Sequence, residues 1–90
     1  MDISFDPVKR AKTLEERGLD FADAPAVFSG LSFTAVDERR DYGEVRSITA
    51  GYLRERFVVV VWTERGKARH VISMRHGHER EERRWRERMG

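Results

Sequence analysis

The side chains able to do chemistry gather in two stretches of this 90-residue chain. Glu44 and Arg46 stand in "DYGEVRS", and "ARHVISMRHGHER" carries Arg69, His70, Ser73, Arg75, His76, His78 and Arg80. A carboxylate, imidazoles and several guanidiniums are what cleavage of an RNA phosphodiester demands. The RNA brings its own nucleophile, the 2′-hydroxyl. The protein must supply a proton acceptor, a proton donor for the leaving oxygen, and fixed positive charge for the phosphorane. In that reading Arg75, Arg46 and Arg69 clamp the phosphate, Glu44 is a base, and His76 or His78 is the acid or base. Ser73, Arg80 and Arg83 would line the RNA path, and Trp62 would stack on a nucleotide.

Each of these residues also has a structural reading. Arg46 could pair with Asp37 or Glu44 across a hairpin. His70 alternates with Ile72 and Met74, as a packed histidine would. Tyr42, before Gly43, fits over a turn as well as against a base, and Trp62 could dock a terminal helix. A metal site is the weaker alternative: His76 and His78 form an H-x-H with Glu79 and Glu82 nearby, but the spacing guarantees no further ligand. Neither a metal nor another cofactor is therefore expected.

Composition narrows the setting. Ninety residues make one domain, residues 1–90, near the small end of what folds without staples. The absence of cysteine removes disulfides and thiolate metal sites and fits a reducing, cytoplasmic compartment. The start "MDISFDPVKR" has no apolar leader, and "FVVVVW" is too short to span a bilayer. Net charge is only +2, but it is uneven. Residues 1–63 hold nine basic against eleven acidic side chains, and residues 64–90 hold nine against five. The basic excess thus lies beside the candidate residues, as suits a polyanionic partner.

The elements that must position these groups follow from local pattern. Asp6 before Pro7 caps a first helix whose face carries Val8, Ala11 and Leu14, and Gly18 ends it. A second short helix in "FADAPAVFSG" takes Asp23 as cap, puts Pro25 in its first turn and turns Ala26, Val27 and Phe28 to the core. From residue 31 the period becomes two, and "LSFTAVD", "VRSITAGYL", "RFVVVVWT" and "KARHVISMR" read as four strands of an antiparallel meander. With turns centred on Arg54-Glu55 and Arg65-Gly66, one face collects Ile48, Ala50, Tyr52, Phe57, Val59, Val61, His70, Ile72 and Met74. That face is expected to carry the two helices. The other, with Ser47, Thr49, Gly51, Val58, Val60, Trp62, Arg69, Val71, Ser73 and Arg75, is expected to be an open groove. A charged helix over residues 77–89, anchored by Trp85 and Met89, completes an α+β fold.

The stretches "FDPVKRAKTLEERGLDFADAPAVF", "DERRDYGEVRSITAGYL" and "VVVVWTERGKARHVISMRHGHEREERRW" together resemble the BrnT family of toxins from type II toxin-antitoxin systems. The resemblance implies a RelE-like fold and a metal-independent ribonuclease that arrests translation. It implies a ribbon-helix-helix antitoxin of the BrnA type as partner, in a heterotetramer that reaches operator DNA through the antitoxin. Glu44, Arg46, Ser73 and Arg75 match the family's recurrent polar positions. Departures stand at Thr13 and at Glu16-Arg17-Gly18, where the family reads Asn and Lys-His-Gly, and at His76, Gly77 and Trp85, where it reads a basic residue, Ala and Tyr. The rival class is a non-catalytic antitoxin- or RNA-binding module that has lost activity through those departures.

Overall fold

A computed structural model describes residues 1–89. The order of elements is β1 (Asp2–Phe5), α1 (Pro7–Arg17), a 3-10 turn (Phe21–Asp23), α2 (Ala24–Ser29), β2 (Phe33–Val36), β3 (Ser47–Leu53), β4 (Arg56–Arg65), β5 (Ala68–His76) and α3 (Glu79–Met89). The sheet has five strands in the order β1-β5-β4-β3-β2. Strands β2 to β5 form the expected antiparallel meander. β1 adds a fifth strand parallel to β5, with Ser4 opposite His70, so the four-stranded description is corrected to a mixed sheet. Four residues of an N-terminal lead-in carry too little pattern to read as a strand, and only pairing with the free edge of β5 makes them one.

The caps behave as side-chain chemistry dictates. Asp6 accepts the Val8 N–H at 2.9 Å, Pro7 opens α1, and Gly18 closes it at φ 68°, a value that favours glycine. α2 starts differently from expectation. Asp23 makes no capping bond; Asp20 accepts the Ala22 N–H and starts a 3-10 turn that runs on into α2. Ala24 and Val27 are therefore the buried residues of α2, and Ala26 is exposed.

The two faces of the sheet are exchanged relative to expectation. α1, the 3-10 turn and α2 cover the face of Val58, Val60 and Trp62, where Leu19, Phe21, Ala24, Val27, Val71 and Met74 complete the main core. The opposite face, with Ala50, Phe57 and Val59, receives Trp85 and Met89 of α3. "FVVVV" is apolar on both faces, so alternation alone does not choose between them. Gly51 does: a Cβ there would lie 2.9 Å from Val27 Cγ1, so the absent side chain is the space that α2 occupies.

The β4–β5 hairpin is also shifted. Arg65 pairs with Ala68, so the turn is Gly66-Lys67, with Gly66 at φ 61° in the first position of a two-residue loop. A bulge follows between Val61 and Trp62, and Val61 pairs with Ser73 while Val59 pairs with Arg75. Beyond the bulge, side chains change sides. Ser73 and Arg75 join the α3 face, and Met74 enters the main core.

Candidate active site

On the α3 face, α3 covers one end of the sheet and leaves the other open. A cross-strand row lies at the open end. His70 sits between Ser4 of β1 and Thr63 of β4, and Thr63 Oγ1 donates to the Val45 carbonyl beside Arg46 at 2.7 Å. Arg46 precedes β3 and its carbonyl accepts the Asp37 N–H. Four strands thus bring Arg46, Thr63, His70 and Ser4 side by side, although sequence separates the outermost pair by most of the first half of the chain.

A recess of about 460 Å³ opens over this row, and Lys9, Glu44, Arg46, Arg65 and His70 line it. Glu44 stands between two guanidiniums, 3.7 Å from Arg46 Nε and 4.0 Å from Arg65 Nη2. Those separations exceed a hydrogen bond, so both cations keep donors for a ligand. Arg46 Nε is buried and has no hydrogen-bond partner among the described residues, an unmet donor at the foot of the recess. Its guanidinium lies over the Tyr42 ring at 4.0 Å. Tyr42 is in turn held by its hydroxyl, which donates to Asp37 at 3.1 Å.

His70 is fixed by a contact of 2.9 Å between Nδ1 and Ser4 Oγ. Burial lowers its pKa below the ordinary imidazole value, and the Arg65 charge acts in the same direction. Both influences disfavour the imidazolium.

Arg75 lies elsewhere on the same face, five residues along β5 and so roughly 15 Å away. It lines a second recess, of about 570 Å³, with His78, Arg80, Glu81 and Arg84. Glu81 grips it with two hydrogen bonds of 2.8 and 2.7 Å. That pairing raises the Arg75 pKa and lowers that of Glu81.

The expected residues thus divide. Glu44 and Arg46 come together; Arg75 and Arg80 form a separate group, with Ser73 on the floor between the two. Arg83 is exposed on α3 and outside that recess. His76 points to the opposite face, where Nε2 is 3.1 Å from the Arg17 carbonyl, so it does not share a site with Glu44. His76 and His78 likewise do not converge, and no group of three or more metal-ligating side chains occurs among the described residues. Arg69 is also on the helix face, with its guanidinium 4.6 Å from the Phe28 ring and 4.5 Å from Trp62. Trp62 is 6 % exposed and its indole N–H donates to Thr49 at 2.9 Å. It belongs to the core and is closed to a nucleotide.

Sequence alone gives Lys9 and Arg65 no part in a site and favours a packed role for His70. His70 looked like a packed residue because its neighbours alternate with apolar ones. The one local sign was "DISF": as a strand beside β5, it puts a hydroxyl on the histidine.

No helix among residues 1–89 is long and apolar enough to cross a membrane. No curated protein matches the sequence. A family model described as "Ribonuclease toxin, BrnT, of type II toxin-antitoxin system" matches residues 5–81, a span that runs from the last residue of β1 to the first residues of α3 and takes in the whole lining of the first recess and all of the second but Arg84. With nearly the whole chain matched, this protein belongs to the BrnT family of ribonuclease toxins, whose members act opposite an antitoxin in type II toxin-antitoxin systems.

Proposed function

We propose that the chain is a metal-independent endoribonuclease that cuts RNA at the recess between Glu44, Arg46 and Arg65, and so arrests translation in the cytoplasm. The observation that carries this reading is the set of cations, Lys9, Arg46 and Arg65, that share one recess with the carboxylates of Glu44 and Asp6, with the buried Arg46 Nε lacking a partner among the described residues. Two guanidiniums held near a carboxylate, yet beyond hydrogen-bond range of it, offer forks to the equatorial oxygens of a phosphorane. There the developing charge is stabilised more than the ground-state phosphate. Glu44 keeps the two cations from splaying apart. Arg75 takes a phosphate a few nucleotides along the same strand once Glu81 releases it, and Arg80 and Ser73 line the path between. The 2′-hydroxyl acts as nucleophile, so the reaction needs no metal-bound water.

The antitoxin in this reading is a ribbon-helix-helix protein of the BrnA type, bound in a heterotetramer that represses its own promoter. Binding over the open end of the sheet, or along the exposed arginines of α3, would exclude RNA.

The test is cleavage of a long RNA by purified, partner-free protein in the presence of chelator, with the product ends identified. The expected result is cuts ending in 2′,3′-cyclic phosphate. Arg46→Ala should lower kcat by about 10²–10³-fold while melting close to the wild type, and Arg75→Ala should chiefly raise KM, with a lower melting temperature because Glu81 loses its partner. Folded wild type that cleaves nothing would move the reading to a non-catalytic antitoxin- or RNA-binding module. Cleavage abolished by chelator would overturn metal independence.

A further inference from the structure

Cleavage by a 2′-hydroxyl needs a proton acceptor beside the cations. His76, one sequence candidate, lies on the far face of the sheet, and Glu44 stands between two guanidiniums, at 3.7 and 4.0 Å, with no hydrogen bond that fixes its carboxylate among the described residues. One other titratable group in the recess is built to serve. Resting on the ribonuclease reading above, we propose that His70 accepts the 2′-hydroxyl proton, with Ser4 as the residue that positions its ring.

β1 is only four residues long, and its parallel pairing places Ser4 directly opposite His70. The Ser4 hydroxyl meets Nδ1 at 2.9 Å. In the tautomer that serves catalysis Nδ1–H donates to Ser4 Oγ, which leaves the lone pair on Nε2. Nε2 has no protein partner among the described residues, and the ring lines the recess beside Arg46 and Arg65. A histidine needed only for packing does not require a short parallel strand to hold one nitrogen while the ring faces a cationic cleft. The charged groups facing it come from four elements: Arg65 from β4 and Lys9 from α1 oppose its protonation, while Glu44 from the β2–β3 loop and Asp6 from the β1–α1 junction favour it. Burial, the largest influence, acts with the first pair, so the surroundings favour the neutral ring that a proton acceptor requires.

The 2′-oxygen gives its proton to Nε2 and bonds to phosphorus. The bond from phosphorus to the 5′-oxygen breaks, and that oxygen leaves with the electron pair and takes a proton from the Lys9 ammonium. The products are a 2′,3′-cyclic phosphate and a 5′-hydroxyl. Imidazolium and amine then exchange protons with solvent.

The experiment measures kcat/KM against pH for single-site cleavage of a labelled RNA by the wild type, His70→Ala, His70→Gln, Ser4→Ala and Ser4→Thr, with melting curves for each. The wild type should lose activity on the acid side as His70 protonates. His70→Ala should fall by about 10²–10⁴-fold, lose the acid limb and regain activity with added imidazole. His70→Gln keeps the ring's volume and a polar contact to Ser4 but accepts no proton, so it should be equally inactive while folded. Ser4→Ala should lower kcat by roughly tenfold with KM unchanged, and Ser4→Thr should restore it. Retention of the acid limb in either folded His70 variant, or cleavage within about threefold of wild type, would overturn the assignment and leave the ribonuclease reading intact. A folded wild type without cleavage would overturn both.

Discussion

Asp37, at the end of β2, has a side chain fully withdrawn from solvent and four donors around its carboxylate. The Arg39 backbone N–H gives 3.1 Å, the Arg39 fork gives 2.8 Å twice, and the Tyr42 hydroxyl gives 3.1 Å. The hydrogen bonds from Arg39 hold its pKa well below the usual carboxylate range. The same tyrosine carries the Arg46 guanidinium on its ring, so this carboxylate sets the loop that presents Glu44 and Arg46. A folded-state pKa below the unfolded value of about 3.9 means stability that is complete above that value and lost as pH falls through the folded one. Asp20, lowered to about 2 by Arg10 and the Ala22 N–H, and Glu81 add to the same loss. Asp37→Asn should therefore cost about 1–2 kcal/mol at neutral pH and flatten the decline of melting temperature below about pH 4. Melting curves across that range check it, and an unchanged acid limb would mean the network does not hold the loop.

At the scale of elements, α3 depends on its junction with β5. Gly77 N–H donates to the Phe57 carbonyl at 3.1 Å, and a Cβ at Gly77 would overlap the Phe57 ring. The glycine is thus required by close approach, since its backbone and the ring share one space. From there α3 runs back across Ala50, Phe57 and Val59 with Trp85 and Met89, and the Trp85 ring meets Phe33 of β2 at 5.9 Å. The helix buries no residue completely, so its docking rests on these partial contacts and on the Arg75–Glu81 pair. Gly77→Ala should destabilise the protein by about 1–3 kcal/mol through overpacking. Phe57→Leu in the same chain should recover part of that, because the two changes compete for one volume. A double-mutant cycle on melting data measures the coupling, and strict additivity would show that the junction relaxes elsewhere.

Over the whole molecule, basic groups are concentrated where the sheet is open and along α3. Arg80 and Arg84 line the second recess without ion-pair partners among the described residues, and Lys9, Arg46 and Arg65 surround the first. In the proposed reading, a single strand crossing both would release counterions in proportion to the phosphates it gives up to these cations. Binding of a short RNA should weaken linearly in log–log terms with salt, with a slope near −0.7 for each phosphate neutralised, and Arg80→Ala should remove about one such increment. Fluorescence anisotropy over a salt series measures this. A slope unaltered by Arg80→Ala would place the RNA away from α3.

What the sequence determined by itself was local. Asp6, Pro7 and Gly18 set the ends of α1, the period of two marked the antiparallel strands, Arg54-Glu55 marked the first hairpin, and Glu44 and Arg46 were near enough in the chain to share a loop. The tertiary structure decided everything that depends on which face a strand turns and what lies beside it. With valines on both faces of β4, alternation carried no preference, and the space left by Gly51 beneath Val27 chose the helix side. The Gly66-Lys67 turn and the bulge at Val61/Trp62 then moved Arg75 onto the α3 face and left Trp62 in the core. His70 meets the Ser4 hydroxyl only because β1 pairs with β5 across 66 positions of sequence. A contact made that far along the chain leaves no trace in local periodicity; it exists only once the sheet edge is formed.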